Sequence, residues 1–156
     1  MATSSGLYLQ TFADLLNGVA GAFDYTSTIK GAMLDSTSPS TPDFNQTTPA
    51  WADLSGNEVV SAGYTAGGNT IDSSITTKEI VVGTRATGVL DIKGTCPAWS
   101  GTTIDADALV IYDDAATADT DQMLCMVDFG GTVTSTSGTF TVTLDANGYV
   151  QMDLVP

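Results

Sequence analysis

The chain reads as a mainly β protein: an antiparallel sandwich or barrel of jelly-roll or immunoglobulin-like kind, preceded by a short N-terminal helix or arm. Three observations predict this. Residues 138–144 alternate Phe140, Val142 and Leu144 with Thr139, Thr141 and Thr143, the period-two pattern of a strand with one dry face and one wet one. Short runs rich in Val, Ile and aromatic residues recur between Gly-, Ser- and Thr-rich turns, giving about seven or eight strands in all. Helical spacing appears only near the N-terminus. With 156 residues the chain is long enough to bury a core without metals or disulfides. The expected layout is an arm over 1–28 and one β domain over 29–156.

Within the arm, Leu9, Phe12, Leu15 or Leu16, Val19 and Phe23 recur at spacings of three and four, an apolar helical stripe. Thr11 followed by Asp14 resembles a weak capping box, and Gly18 and Gly21 predict that the regular helix ends near Asn17. The stripe either tucks against its own domain or docks on a neighbouring subunit, with Leu9, Phe12 and Leu16 as the contacts. A first strand is expected over 29–34, with Ile29 and Met33 in the core. The Pro-rich segment 35–57 holds Pro39, Pro42 and Pro49. Proline removes ladder donors, so this is a long loop, and loops of such length usually have a role. Phe44 and Trp51 within it either pin it to the domain or touch a partner.

Further strands are expected over 58–61, 79–82, 88–92, 108–112 and 122–129. The last carries Met123, Cys125, Val127 and Phe129 on one face and Leu124 and Met126 on the other, so it is covered on both sides. The glycines of Gly63-Tyr64-Thr65-Ala66-Gly67-Gly68 mark a sharp turn; no lysine follows, so a phosphate-binding loop is a poor reading. Asp145-Ala146-Asn147-Gly148 then predicts a hairpin pairing 138–144 with Val150, Met152 and Leu154.

The net charge is -14, with eighteen acids against Lys30, Lys78, Lys93 and Arg85. Such a surface repels a phosphate backbone, which argues against direct nucleic-acid binding. No run of apolar residues is long enough to span a bilayer, and the N-terminus has neither the basic nor the apolar region of a secretory signal. Synthesis in a cytoplasm, with Cys96 and Cys125 as buried thiols, is expected, one disulfide being the alternative. The chain has no histidine, so neither a Ser-His-Asp nor a Cys-His triad can be built from it. Paired carboxylates are abundant, but none lies in an evident aromatic pocket that would raise a general acid, and no enzyme activity is expected. Asp105, Asp107, Asp113, Asp114, Asp119 and Asp121 are the ligand type that a structural calcium takes. They lack EF-hand spacing, and solvated acidic turns are the simpler expectation. No cofactor is expected.

Several of these segments also carry a likeness. Asn57-Glu58-Val59 with Gly63 through Gly68, then Ile104-Asp105-Ala106-Asp107, a strand ending in Tyr112-Asp113, Met126-Val127-Asp128-Phe129-Gly130, and Gly138 through Gly148 follow one another in order. This set resembles a family of small tailed-bacteriophage structural proteins, over roughly residue 29 to the C-terminus. The chain departs from the family at Cys96-Pro97-Ala98-Trp99, where relatives carry a plain valine-threonine-tryptophan; Trp99 is the expected counterpart, buried in a strand. The resemblance implies a virion component and brings no catalytic residues with it. The leading expectation is a capsid decoration or cement protein, made in the host cytoplasm and bound to the major capsid protein on the head surface as a homo-oligomer, for which a trimer would suit capsid three-fold positions. Alternatives are a tail-tube, neck or tail-tip component, or a head fibre or adhesion module using an aromatic loop around Tyr64 or Trp51.

Overall fold

The computed structural model describes residues 5–19, 22–24, 27–36, 42–71, 80–82, 89–92, 94–114, 121–145 and 149–153. Its strands in chain order are β1 (Gly6–Leu7), β2 (Ile29–Asp35), β3 (Asn69–Thr70), β4 (Ile80–Val82), β5 (Val89–Ile92), β6 (Trp99–Asp113), β7 (Met123–Phe140) and β8 (Val150–Asp153), with one helix described, α1 (Leu9–Asn17). The chain is mainly β, as its alternating pattern predicts. Five strands form an antiparallel sheet in the order β1-β7-β6-β2-β3, and β4-β5-β8 form a separate three-stranded one. Two 3-10 turns, Trp51–Asp53 and Ser55–Asn57, give the Pro-rich loop local structure.

The axis of the larger sheet is the β6–β7 ribbon. Strand β2 lies against the C-terminal half of β6, from Ile29 opposite Asp113 to Asp35 opposite Ala106. Side chains on both faces of β2 and β6 are buried. On one face Ile29, Met33, Leu109 and Ile111 join Trp99, Phe140 and, from the small sheet, Ile92 and Val150. On the other, Ala32, Leu34, Ala108, Val110 and Tyr112 are covered by Tyr8, Trp51 and Leu54, with Phe44 packed alongside. The parity of β6 changes at Asp107. Ile104 and Ala106 face the first cluster on even positions, whereas Leu109 and Ile111 face it on odd ones. In the ladder with β2, Asp35 stands opposite Ala106 and Leu34 opposite Ala108, so Asp107 is one extra residue on β6, and it turns every later side chain over.

The expected two-sided burial of 122–129 is present, Met123 through Met126 being all buried, but not with the expected faces. Leu124 joins Cys125 in the first cluster and Met123 joins Met126 in the second, because the register with β6 shifts between Ile111 and Tyr112. Several boundaries differ from expectation. The strands expected over 108–112 and 122–129 are the inner halves of much longer ones, since threonine- and glycine-rich continuations pair as well as the apolar centres do. The strand expected over 58–61 is only an isolated bridge between Leu34 and Glu58. Glu79 and Gly88 fall outside the described residues. The predicted C-terminal hairpin is absent. Thr139 and Phe140 end β7 opposite Ser100 and Trp99, residues 141–145 carry no ladder, and β8 pairs with β5 instead. The alternation still has its cause: Phe140 is buried and Val142 and Leu144 pack on the core, while Thr141 and Thr143 face water. A dry-and-wet pattern specifies a face to bury, not the strand that lies alongside. Ala146 through Gly148 and Leu154 lie outside the described residues.

Helix α1 ends at Gly18, whose φ of 64° is the left-handed C-cap that glycine tolerates best. The Thr11–Asp14 capping box does not form, because the helix starts three residues earlier, with Tyr8 as its N-cap. Thr11 instead sits fully buried inside the helix and donates its hydroxyl to the carbonyl of Met123 at 2.5 Å.

The loop that covers the second face is anchored chiefly by Trp51. Its indole stacks on Tyr112 with centroids 4.9 Å apart and planes 12° from parallel, the residue is 7 % exposed, and the Trp51 backbone N–H donates to the Asp121 carbonyl at 2.7 Å. Replacing it leaves a large cavity over β6. Trp51→Ala is expected to cost about 3–5 kcal/mol, read by urea denaturation, and to make residues 42–57 the first site of limited proteolysis.

Candidate functional site

The motif Asn57-Glu58-Val59…Gly63-Tyr64-Thr65-Ala66-Gly67-Gly68 folds into one polar knot on the outer edge of β2. Strand β3 pairs with β2 only at Lys30 and Gly31, so the backbone of Met33 needs other partners. The Val59 N–H donates to the Met33 carbonyl at 3.0 Å, and the Met33 N–H donates to the Tyr64 hydroxyl at 2.9 Å. That hydroxyl donates in turn to Glu58 Oε1 at 2.8 Å, and the Gly67 N–H reaches the same oxygen at 2.7 Å. Tyr112 closes the knot from β6, its hydroxyl donating to the Gly67 carbonyl at 2.7 Å. Lys30 lies beside it, paired with Asp114 at 2.7 Å.

Two of the glycines are required by geometry. Gly68 has φ +74°, and a Cβ there would lie 2.0 Å from the Gly31 carbonyl oxygen. Gly63 has φ +81° and would set a Cβ 2.9 Å from the Gly101 carbonyl oxygen. Burial raises the Glu58 pKa above the ordinary 4.5, against the opposing pull of Tyr64, the Gly67 and Gly68 amides, and Lys30. Burial also raises Tyr64 and Tyr112 above the usual phenol range. Every one of these groups faces another within the knot, so its chemistry is that of a turn clamped to a sheet edge.

The second set of ordered motifs meets across the bulge in the β6–β7 ribbon. Asp107 is buried and accepts from the Thr132 hydroxyl at 2.8 Å, and Asp128 accepts from the Gly130 N–H at 2.8 Å, with Gly130 at φ +74°. At the far end of β6, Asp113 accepts from the Asp24 N–H at 2.8 Å and from the Ser27 hydroxyl. Asp105 and Asp107 thus sit near one end of the ladder with β2 and Asp113 and Asp114 at the other. At about 3.3 Å per residue this is roughly 20 Å, too far for one calcium site. Among the described residues no group of three His, Cys, Asp or Glu side chains could hold a metal ion; Asp119 lies outside them. Cys96 and Cys125 are buried thiols that do not form a disulfide, and burial pushes the Cys125 thiol up to about 12.

The six residues singled out as partner contacts are distributed unevenly. Trp51 and Phe44 are turned inward; the Phe44 ring tilts against Tyr8 at 5.2 Å and lies over Gly6. Tyr64 is committed to the knot and stacks on Trp99 at 6.2 Å, and Trp99 is itself buried at the start of β6, as the family resemblance implies. Phe12 is half-buried and packs on the core. Leu9 and Leu16 face water, 60 % and 85 % exposed, and Val19 just past the helix is 48 % exposed. Helix α1 meets β7 through Thr11 and Phe12, so Leu9 and Leu16 fall on its flank rather than beneath it. Asp14 and Gln122 hold that pose, at 3.2 Å, and Gln122 also accepts from the Phe23 N–H at 2.6 Å.

Sequence reasoning placed Glu58 and Tyr112 in motifs without giving their side chains a role, and gave Thr11 a capping role in place of its buried one. A signal existed for the first, since Glu58 and Glu79 are the only glutamates in a chain whose other acids are all aspartate. Thr11 had none, being a polar residue where the stripe put no contact. No family model, curated protein or solved structure matches the chain. Among the described residues no helix is long and apolar enough to cross a membrane.

Two outcomes test the knot. Gly68→Ala forces a side chain into the β2 backbone and is expected to cost about 2–4 kcal/mol in urea denaturation. Glu58→Gln keeps an acceptor for Tyr64 and Gly67 without the buried charge. Because the folded pKa of Glu58 is raised, its contribution to stability is full below pH 4.5 and is lost as pH rises through the folded value. The variant is therefore expected to gain stability relative to the parent as pH rises above about 4.5; a relative loss growing with pH would contradict this.

Proposed function

We propose that this protein is a structural component of a tailed-phage particle, and specifically a decoration protein bound to the outside of the head. The observation that carries this reading is the exposed apolar flank of α1. Leu9, Leu16 and Val19 stand in water on an otherwise strongly acidic chain, on a helix fixed to a rigid sheet through Thr11 and Gln122. Leucines exposed side by side on one flank of a helix suit contact with a partner. The partner proposed is the major capsid protein in its assembled form, with the chain present as a homo-oligomer. Binding the shell and not its separate subunits stabilises the shell by linkage, and many weak contacts add up over its surface. The acidic exterior keeps decorated particles apart. The ordered motifs support the same reading, because their residues build the scaffold, with the Glu58 knot and the Asp107–Asp128 bulge each formed from two of them.

A second reading, a tail-tube or neck subunit, draws on the β6–β7 ribbon. Its strands of 15 and 18 residues are long enough to reach into a neighbouring ring. The adhesion reading loses its residues, since Trp51 is buried and Tyr64 is spent on Glu58 and Met33.

Cryo-electron microscopy of purified particles separates the two. Copies arrayed over the outer shell with α1 against the capsid lattice are expected, and copies stacked along the tail would overturn the head assignment. Leu16→Asp is expected to leave the melting temperature unchanged, because the side chain is exposed, and to weaken binding to undecorated heads at least about tenfold.

A further inference from the structure

The outer edge of β7 offers a second surface, independent of the virion reading. Among the described residues, β1 is the only strand on that side of β7, and it meets β7 only at Cys125 and Met126. Beyond Gly130 the strand runs on to Phe140, pairing with β6 in continuous register over Val133–Ser135, between irregularities at 129–132 and 136–137. Along 131–136, Thr132, Val133, Thr134 and Thr136 are exposed, Val133 by 43 %. An open edge of this kind presents unpaired backbone donors and acceptors and is a template for another strand. Soluble proteins usually protect such edges with lysine, proline or inward charge. Here no charged residue and no proline occurs between Asp128 and Asp145. Beside the edge lies an apolar groove of about 240 Å³, lined by Phe129, Val133, Phe140 and Val142 among others.

We infer that this edge pairs with the same edge of a second copy, as an antiparallel strand addition that continues the sheet across a two-fold axis, each groove taking an apolar side chain of the other copy. Charge identifies the occupant. Two copies that each carry -14 repel wherever acids meet, and they approach at least cost where both are uncharged. A basic partner would instead seek the acidic surface. Identical strands meeting edge to edge are self-complementary and close as a dimer.

The test is sedimentation velocity on the full chain over a wide concentration range. A reversible dimer is expected, and one that tightens as salt is raised, because screening removes repulsion and leaves the backbone hydrogen bonds. Thr134→Lys is the diagnostic variant. It faces Asp105 across the ladder, so the fold accepts it, and it lowers the net repulsion between copies. Association through any other surface would be unchanged or strengthened by it, whereas pairing through this edge is expected to weaken at least about tenfold. Thr136→Asp, at an exposed position, is expected to weaken it likewise, and circular dichroism confirms that both variants fold. A monomer at every concentration would overturn the proposal. So would a dimer indifferent to both variants, or one abolished by Leu16→Asp, which would put the interface on α1.

Discussion

The structure depends on one constraint: strands β2 and β6 are apolar on both faces, so the sheet they share needs two covers. From Ala106 to Asp113 every residue of β6 is buried. Leaving either face wet would forfeit about 1.5–3 kcal/mol for each large side chain exposed, more in sum than a domain's whole margin of stability. The small sheet covers the first face through Ile92 and Val150, helped by Trp99 and Phe140 from the outer ribbon. Among the described residues no strand lies over the second face. Tyr8 from the N-terminal segment and Trp51 and Leu54 from the Pro-rich loop do that work instead, which is why a segment poor in regular structure carries a buried tryptophan.

Covers that are not strands attach at only a few backbone points, Tyr8 to Leu124 and the Ala50–Gln122 bridge among them, and polar side chains add to these. Thr11 ties α1 to the Met123 carbonyl, Gln122 holds the Phe23 N–H, and Tyr64 takes the Met33 N–H that a longer β3 would have taken. A buried backbone group without a partner costs about 1–3 kcal/mol, so each of these side chains is placed where the ladder stops. Glu58 shows the same logic at its most expensive. Its carboxylate is drawn from water to organise the Tyr64–Gly67 turn, and the raised pKa records the cost.

What could be read in the sequence was whatever depends on period. Alternation gave the mainly β class, the two-sided strand around Leu124 and Cys125, and the dry face of Phe140, Val142 and Leu144. Helical spacing together with Gly18 gave α1 and its end. Pairing was less legible, because period is silent on neighbours. Val150 and Met152 alternate as well beside β5 as they would beside 138–144, and the local turn signal pointed to the wrong partner. The stripe on α1 was legible as a pattern but not as a direction: the helix rests on Thr11 and Phe12, and only geometry shows that Leu9 and Leu16 lie to the side. Trp51 and Phe44 were visible as apolar residues in a loop; that they turn inward follows from Tyr112 and Tyr8 waiting for them across the second face.

Charge then limits how such a chain meets others. With a net charge of -14, close contact with another acidic body is least opposed where apolar and uncharged side chains lead, and the described surface offers such places on α1 and along β7. The flank of α1 sits by Met123, where β7 begins, and the open edge lies around Thr134. Measured along β6, from Tyr112 opposite Met123 to Asp105 opposite Thr134, they are about 20 Å apart. That distance leaves room for both to be occupied at once. A chain held to a lattice by one surface and to its neighbour by the other gains from effective concentration: each contact raises the local supply of partners for the other. Two interfaces of modest strength then reinforce each other on a surface where copies already stand side by side.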